Sequence, residues 1–156
     1  MGHIKYASDV GAPVEVAFNY TDNHLFVPDW AYGVATFEPE GELEHGLGAV
    51  YGTAVRLALW HPRITCEITE YRRNVVIGYT LRGRLSGTLT LRFDPLGYGR
   101  SVLTSEADYT APSGILGKLC AGLLDSAVRR ALRRTESRLR REIEEFHGTD
   151  LVGRIA

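Results

Sequence analysis

The chain has 156 residues, 44% of them hydrophobic, and a formal net charge of -1 at pH 7. This length fits one domain with a substantial core. A net charge so close to zero excludes a protein whose overall field attracts nucleic acid or acidic ligands. The two cysteines, Cys66 and Cys120, have no second Cys or His at metal-ligand spacing, which indicates free thiols in a reducing compartment.

The first thirty residues are predicted to form one strand and two short helices. Residues 3–10 alternate between apolar and polar side chains, the pattern of a half-buried strand. Pro13 fits the first turn of a short helix that ends near Thr21. A second short helix follows at residues 23–26, and we expect Pro28 to end it.

The middle of the chain is predicted to be almost entirely strand. Clear alternation of apolar and polar residues indicates a sheet with one wet face and one covered face. The segments follow one another at hairpin spacing, so the sheet should be antiparallel. The predicted strands are residues 32–38, 49–59, 63–71, 75–82, 88–93 and 101–109.

The last quarter of the chain reads as one long amphipathic helix, residues 112–147. Pro112 and Ser113 are good start signals, and Gly148 is a good stop signal. Such a helix spans roughly 50 Å, so its apolar face needs a long partner, and one curved sheet would provide it. We therefore predict one domain, residues 1–148, with a tail of residues 149–156. The apolar positions of the helix are Leu116, Leu119, Leu123, Ala127, Ala131, Thr135, Leu139, Ile143 and Phe146.

Four stretches carry a resemblance to a known superfamily. They are APVEVAFNYTDNHLFVPDW (12–30), FEPEG (37–41), GLGAVY (46–51) and LTLRFDPLGYGRSVLTSEADYTAP (89–112). Together with the order of elements they resemble the START-like (SRPBCC) superfamily. It includes birch-pollen-allergen-like proteins, polyketide cyclase/dehydrases and coenzyme-Q-binding proteins. The resemblance covers essentially the whole chain. It implies an α+β helix-grip fold: a curved antiparallel sheet wrapped around a long C-terminal helix, with two short helices after the first strand.

The same resemblance implies a cavity for a hydrophobic ligand between sheet and helix. The covered face of the predicted strands is mainly apolar, with a few hydroxyls and one thiol, as in pockets for apolar ligands. The alternative is a filled core in which these hydroxyls satisfy one another. Trp30 would either wall the mouth of the cavity or anchor the core. The predicted ligand-binding residues are Trp30, Tyr51, Thr53, Val55, Cys66, Ile77, Tyr79, Ser105, Leu116, Leu119 and Leu123.

Two functions follow from this interpretation. The first is binding of a small hydrophobic molecule, such as a polyketide, a lipid or a quinone. The second is a polyketide cyclase or dehydratase that acts on a poly-β-ketone in the same cavity. No catalytic motif such as H-E-x-x-H or G-x-S-x-G is present, and His61 has no carboxylate placed to orient it. The sequence therefore does not decide whether the protein is an enzyme, and we expect neither a metal nor a cofactor.

The face of the long helix opposite its apolar face is basic, and this raises the question of anionic partners. It could meet anionic lipid headgroups or RNA phosphates. Interleaved glutamates at pairing spacing, such as Arg138 with Glu142 and Arg140 with Glu144, favour a solvated face. We expect no nucleic-acid partner, at most weak contact with a membrane surface, and a cytoplasmic location, since no signal peptide or transmembrane pattern is present. The basic residues are Lys118, Arg129, Arg130, Arg133, Arg134, Arg138, Arg140 and Arg141.

Overall fold

The structure is a computed structural model that describes residues 2–56, 61–110 and 121–155. The first strand is followed by short helices, six more strands and one long helix, in the order expected from the sequence. The elements are β1 (Gly2–Val10), α1 (Val14–Asp22), a 3-10 helix (His24–Phe26), α2 (Val27–Trp30), β2 (Val34–Pro39), β3 (Val50–Val55), β4 (Arg63–Arg72), β5 (Val76–Gly83), β6 (Ser86–Gly97), β7 (Arg100–Thr110) and α3 (Ala121–Ile155).

The seven strands form one antiparallel sheet in the order β1-β7-β6-β5-β4-β3-β2. Consecutive strands pair from β2 to β7, and β1 closes the order beside β7. Register shifts between Ile68 and Glu70 and between Val34 and Thr36 mark bulges, which bend a sheet and increase its twist. The sheet curves around α3, which confirms the predicted helix-grip fold.

The concave face of the sheet is filled by side chains at one end. There, α1 places Phe18 edge-on against Tyr71 and Phe93, with ring centroids 5.6 and 5.5 Å apart. The later turns of α3 add Leu139 and Ile143, both 0% exposed. This end of the molecule is a close-packed core, so any space for a ligand must lie towards the other end.

The predictions that one helix ends at Pro28 and another at Gly148 are both wrong. Pro28 does not end a helix but lies in the first turn of α2, where its missing N–H costs nothing. The helix before it is a 3-10 turn capped by Asn23, whose side chain accepts a hydrogen bond from the Leu25 N–H at 3.0 Å.

The long helix does not stop at Gly148 but continues to Ile155. One glycine inside a helix costs only about 1 kcal/mol, and no proline follows it. The division into a domain of residues 1–148 and a tail stays a prediction, and the predicted start at Pro112 lies outside the described residues. Within the described ranges, no helix is long and apolar enough to cross a membrane.

Candidate functional site: a cavity between the sheet and the long helix

A cavity of about 160 Å³ lies between the concave face of the sheet and the first turns of α3. Its floor comes from the central strands, and α2 with the residues after it forms one wall. The roof comes from Val128, Leu132 and Thr135, which follow one another at steps of four and three along α3. The sheet contributes, among others, Thr53, Val55, Ile64, Cys66, Tyr79 and Leu89.

Strand register brings the floor residues together. Tyr79 pairs with Leu89, and Leu89 pairs with Ala107, so these three side chains form a row across β5, β6 and β7. All three line the cavity. A methyl group at position 107 reaches less far from the sheet than the neighbouring side chains. The small residue in this row therefore leaves room beneath α3.

The wall that contains α2 is held by two backbone features. The Tyr32 N–H donates to Thr135 Oγ1 at 2.9 Å, which fastens the end of α2 to α3. Gly33 has φ +83°, and a Cβ at this position would lie 2.5 Å from the Arg56 carbonyl oxygen. Only glycine fits such a position, and the tight turn it permits leads from α2 into β2.

Most polar groups of the lining are already hydrogen-bonded within the protein. Thr53 Oγ1 donates to the Thr36 carbonyl at 2.8 Å, and Thr135 Oγ1 accepts from Tyr32. The Tyr109 hydroxyl donates to Asp125 at the start of α3. With these groups satisfied, the surface offered to a ligand is largely apolar.

Tyr79 contributes a buried phenol to the cavity lining. Among the described residues, no hydrogen-bond partner of its hydroxyl is found, and its side chain is buried in the cavity floor. Burial raises the pKa of Tyr79 above its ordinary value. The phenol is therefore neutral at physiological pH and keeps its proton as a hydrogen-bond donor.

Cys66 lines the cavity as a neutral thiol. Burial raises the pKa of Cys66 to about 12, so almost no thiolate forms near neutral pH. It acts as a small hydrophobic group rather than a nucleophile. His61 is exposed on the β3–β4 connection and does not line the cavity. Within residues 2–56, 61–110 and 121–155, no cluster of three or more His, Cys, Asp or Glu could hold a metal ion.

A polar bridge joins the cavity wall to the outside of α3. Asp125 accepts from Tyr109 on one side and from Arg129 Nε at 2.8 Å on the other. These hydrogen bonds, first from Tyr109 and then from Arg129, lower the pKa of Asp125. Burial and the neighbouring carboxylate raise the pKa of Tyr109 to about 12. A neutral phenol and an ionised carboxylate therefore meet at this edge of the cavity.

Five of the predicted ligand-binding residues line the cavity: Trp30, Thr53, Val55, Cys66 and Tyr79. Trp30 is only 2% exposed, so it both anchors the core and walls the cavity. Its Nε1 is buried and has no hydrogen-bond partner among the described residues.

Three predicted residues of the sheet are buried away from the cavity. Ile77 and Ser105 lie one row further along the same face, towards the filled end, and Ser105 donates to the buried carboxylate of Glu136 at 3.3 Å. Tyr51 stacks on Phe37 at 4.4 Å, and its hydroxyl donates to the Glu44 carbonyl, which turns it away from the cavity.

The prediction for α3 is shifted by one residue in its first half. Leu123 is 75% exposed and does not line the cavity, because the inward positions are Leu124, Val128 and Leu132. Leu116 and Leu119 lie outside the described residues. The signal for the correct face was the size of Leu124, Val128 and Leu132, since large apolar residues indicate a buried face better than the alanines at 127 and 131.

Comparisons with known proteins agree with this architecture. Residues 1–144 match the family model described as polyketide cyclase/dehydrase and lipid transport, and the chain belongs to this family. No match was found among curated proteins.

Solved structures share the fold at low sequence identity. The ZhuI aromatase/cyclase from Streptomyces sp. R1128 is 19% identical, with a TM-score of 0.78 over 92% of this chain and 93% of that one. A START superfamily protein from Mycobacterium smegmatis is 12% identical, with a TM-score of 0.75 over 92% and 97%. Truncated norcoclaurine synthase from Thalictrum flavum is 13% identical, with a TM-score of 0.68 over 91% and 92%. At these identities the likeness shows the fold alone.

Proposed function

We propose that the protein binds a small, uncharged, largely apolar molecule in the cavity between the sheet and α3. The observation that carries this proposal is an unfilled volume of about 160 Å³ with an apolar lining inside an otherwise well-packed domain. Close-packed interiors contain few voids larger than a water molecule, so a cavity of this size is unusual unless it has a use. A family described in part by lipid transport supports the same function.

The size of the cavity restricts the ligand. An apolar cavity of about 150 Å³ binds benzene, whereas pockets for drug-sized ligands measure about 300–1,000 Å³. The cavity is partly open, and its volume fits one ring or a comparable length of acyl chain. A polyketide, a lipid or a quinone would insert such a part, with one carbonyl or hydroxyl oxygen towards Tyr79.

Native mass spectrometry and displacement of a fluorescent apolar dye test this proposal. The informative variant is Ala107→Leu, which extends a larger side chain from the cavity floor. The matched control is Ala7→Leu on the exposed side of β1. Ala107→Leu should abolish dye binding while the protein stays folded by circular dichroism, and Ala7→Leu should bind as the natural protein does. Equal dye affinity in all three proteins would place the bound dye elsewhere and contradict the proposal.

Catalysis on a poly-β-ketone in the same cavity is the second candidate. The observation that favours it is the Tyr79 hydroxyl, since a donor fixed in an apolar site can polarise a ketone oxygen and position a reactive chain. Tyr79→Phe should then lower the turnover of a synthetic poly-β-ketone strongly, and Cys66→Ala should lower it less. Tyr51→Phe is the control, because Tyr51 lies outside the cavity. Unchanged turnover in Tyr79→Phe would leave binding as the function.

A further inference from the structure

A second concave surface lies on the outside of α3, where the helix passes over β1. It has a volume of about 480 Å³ and is lined by Tyr6, Ser126, Arg129, Arg130, Arg133 and Arg134. We call it the arginine groove. We propose that the arginine groove is a binding site for a phosphate group, carried by a soluble phosphate ester or by a phospholipid headgroup. This proposal does not depend on the function proposed for the cavity.

The groove has more positive charge than the protein neutralises. Among the described residues, only Arg129 of its four arginines has an acidic partner, Asp125 at 2.8 Å. Just outside the groove, Arg138, which was predicted to pair with Glu142, lies instead over the ring of Tyr32 at 5.3 Å. Cations three and four residues apart on a helix repel one another, so Arg130, Arg133 and Arg134 do not stabilise the helix by their charges.

Aromatic rings hold two of these arginines in place without neutralising them. The Arg133 guanidinium lies 5.4 Å from the centre of the Tyr6 ring, and that of Arg134 lies 5.0 Å from the Tyr32 ring. Arg134 also donates to the Tyr32 hydroxyl at 3.2 Å. Stacking on a ring face restricts a guanidinium while most of its N–H donors stay free. The side chains are therefore ordered in advance for an anion.

The donor set fits phosphate better than other anions. Each guanidinium presents paired N–H groups that match two phosphate oxygens, and four arginines line this one groove. The hydroxyls of Ser126 and Tyr6 add neutral donors to the same lining. An uncharged apolar ligand has no group that could pair with these arginines. The arginine groove and the cavity therefore take different ligands.

Paired double variants of α3 test the proposal. Arg130→Gln with Arg133→Gln removes two charges from the groove. Arg140→Gln with Arg141→Gln removes the same charge from the same helix, at residues that already face Glu144 and Glu142, both at 3.8 Å. Binding of pyrophosphate is measured by calorimetry. Binding to phosphatidylcholine vesicles, with and without an equal part of phosphatidylglycerol, is measured by co-sedimentation at several salt concentrations.

The natural protein should bind in at least one arm. Pyrophosphate binding without vesicle binding identifies a soluble ligand, and preference for phosphatidylglycerol vesicles identifies a headgroup. In the arm that binds, the groove variant should be about tenfold weaker or more, and the control should stay within about twofold. No binding in either arm, or equal loss in both double variants, would overturn the proposal.

Discussion

The two halves of α3 differ both in charge and in surroundings. Residues 122–138 contain five arginines and two acidic residues, whereas residues 139–148 contain two arginines and three glutamates. In residues 122–138, Val128 and Leu132 face an open cavity, and three of the four groove arginines lack an acidic partner among the described residues. In residues 139–148, Leu139 and Ile143 are completely buried. There the outer charges pair within the helix, Arg140 with Glu144 and Arg141 with Glu142.

The difference comes from what lies beneath each half. The second half packs on α1 and its aromatic neighbours, and Glu144 accepts a hydrogen bond from the Gly11 N–H at 2.7 Å. The first half spans the end of the sheet that α1 does not cover, where the small side chain of Ala107 leaves room for the cavity. One helix thus supplies stability at one end and, on our proposals, binding surfaces at the other, on its inner and its outer face.

The largest expected difference between the two halves is the loss of stability when a buried leucine is truncated. Leu139→Ala should lower the free energy of unfolding by about 3 kcal/mol or more, because it creates a new void in a filled region. Leu132→Ala should cost about 1 kcal/mol less, since Leu132 already borders empty space and has fewer packing contacts to lose. Urea denaturation measures both. A Leu132→Ala cost equal to that of Leu139→Ala would mean that the first half is packed as tightly as the second.

The ionisation of Cys66 tests whether the cavity is dry. Its pKa of about 12 lies above the ordinary value of 9.0, so the folded state keeps a proton that the unfolded state loses. The stability from this group is complete below pH 9 and falls by about 1.4 kcal/mol per pH unit between pH 9 and pH 12.

Chemical denaturation across this pH range, in a Cys120→Ser background, measures the effect. Cys66→Ala should remove the part of the stability loss above pH 9 that comes from the thiol. The part that comes from ionisation of the tyrosines should remain in both proteins. If the two proteins lost stability in parallel above pH 9, the thiol would be hydrated and the cavity wet.

The hydrogen bond between Glu144 and Gly11 should stabilise the packing of the second half of α3. Glu144→Ala should cost about 1–2 kcal/mol, because it leaves the part-buried Gly11 N–H without an acceptor. Glu145→Ala, at an exposed position of the same turn, should change stability by less than about 0.5 kcal/mol. Thermal unfolding of both variants decides. Similar losses would show that the carboxylate acts through general charge rather than through this hydrogen bond.

The smallest expected effect is a difference in sign between the stability changes caused by two arginine substitutions. Arg140→Gln should destabilise slightly, by up to about 0.5 kcal/mol, because it loses an exposed pair with Glu144. Arg130→Gln should be neutral or slightly stabilising at low salt, since it relieves repulsion with Arg133 and Arg134. Guanidinium chloride would screen the effect, so urea at low ionic strength is the suitable denaturant. A clear loss of stability in Arg130→Gln would reveal a partner that spacing and structure do not suggest.

Sequence alternation predicted the concave face of the sheet but not the position of the cavity along it. Thr53, Cys66 and Tyr79 lie on this face and line the cavity, and their role in binding a ligand stays a prediction. Ile77 and Ser105 share their face but lie in the filled rows. A period of two specifies which side of a sheet a residue faces, and it carries no information on what covers each row.

The helix shows the same limit in another form. Steps of four drift around a helix of 3.6 residues per turn, so a stripe counted through the alanines placed Leu123 inward when Leu124 is the inward residue. The position of Arg138 could not be predicted either. The ring over which Arg138 lies belongs to Tyr32, more than a hundred residues earlier in the chain.

The central claim is that the space beneath the first half of α3 accepts an uncharged apolar ring. A ¹H–¹⁵N correlation titration with toluene tests it directly, with Ala107→Leu as the blocked variant. We predict saturable shifts confined to amides around the cavity, such as those of Thr53, Leu89 and Val128, and none in Ala107→Leu. The amides of Leu139 and Ile143 should not move. Absence of saturable shifts in the natural protein, or equal shifts in Ala107→Leu, would contradict the account.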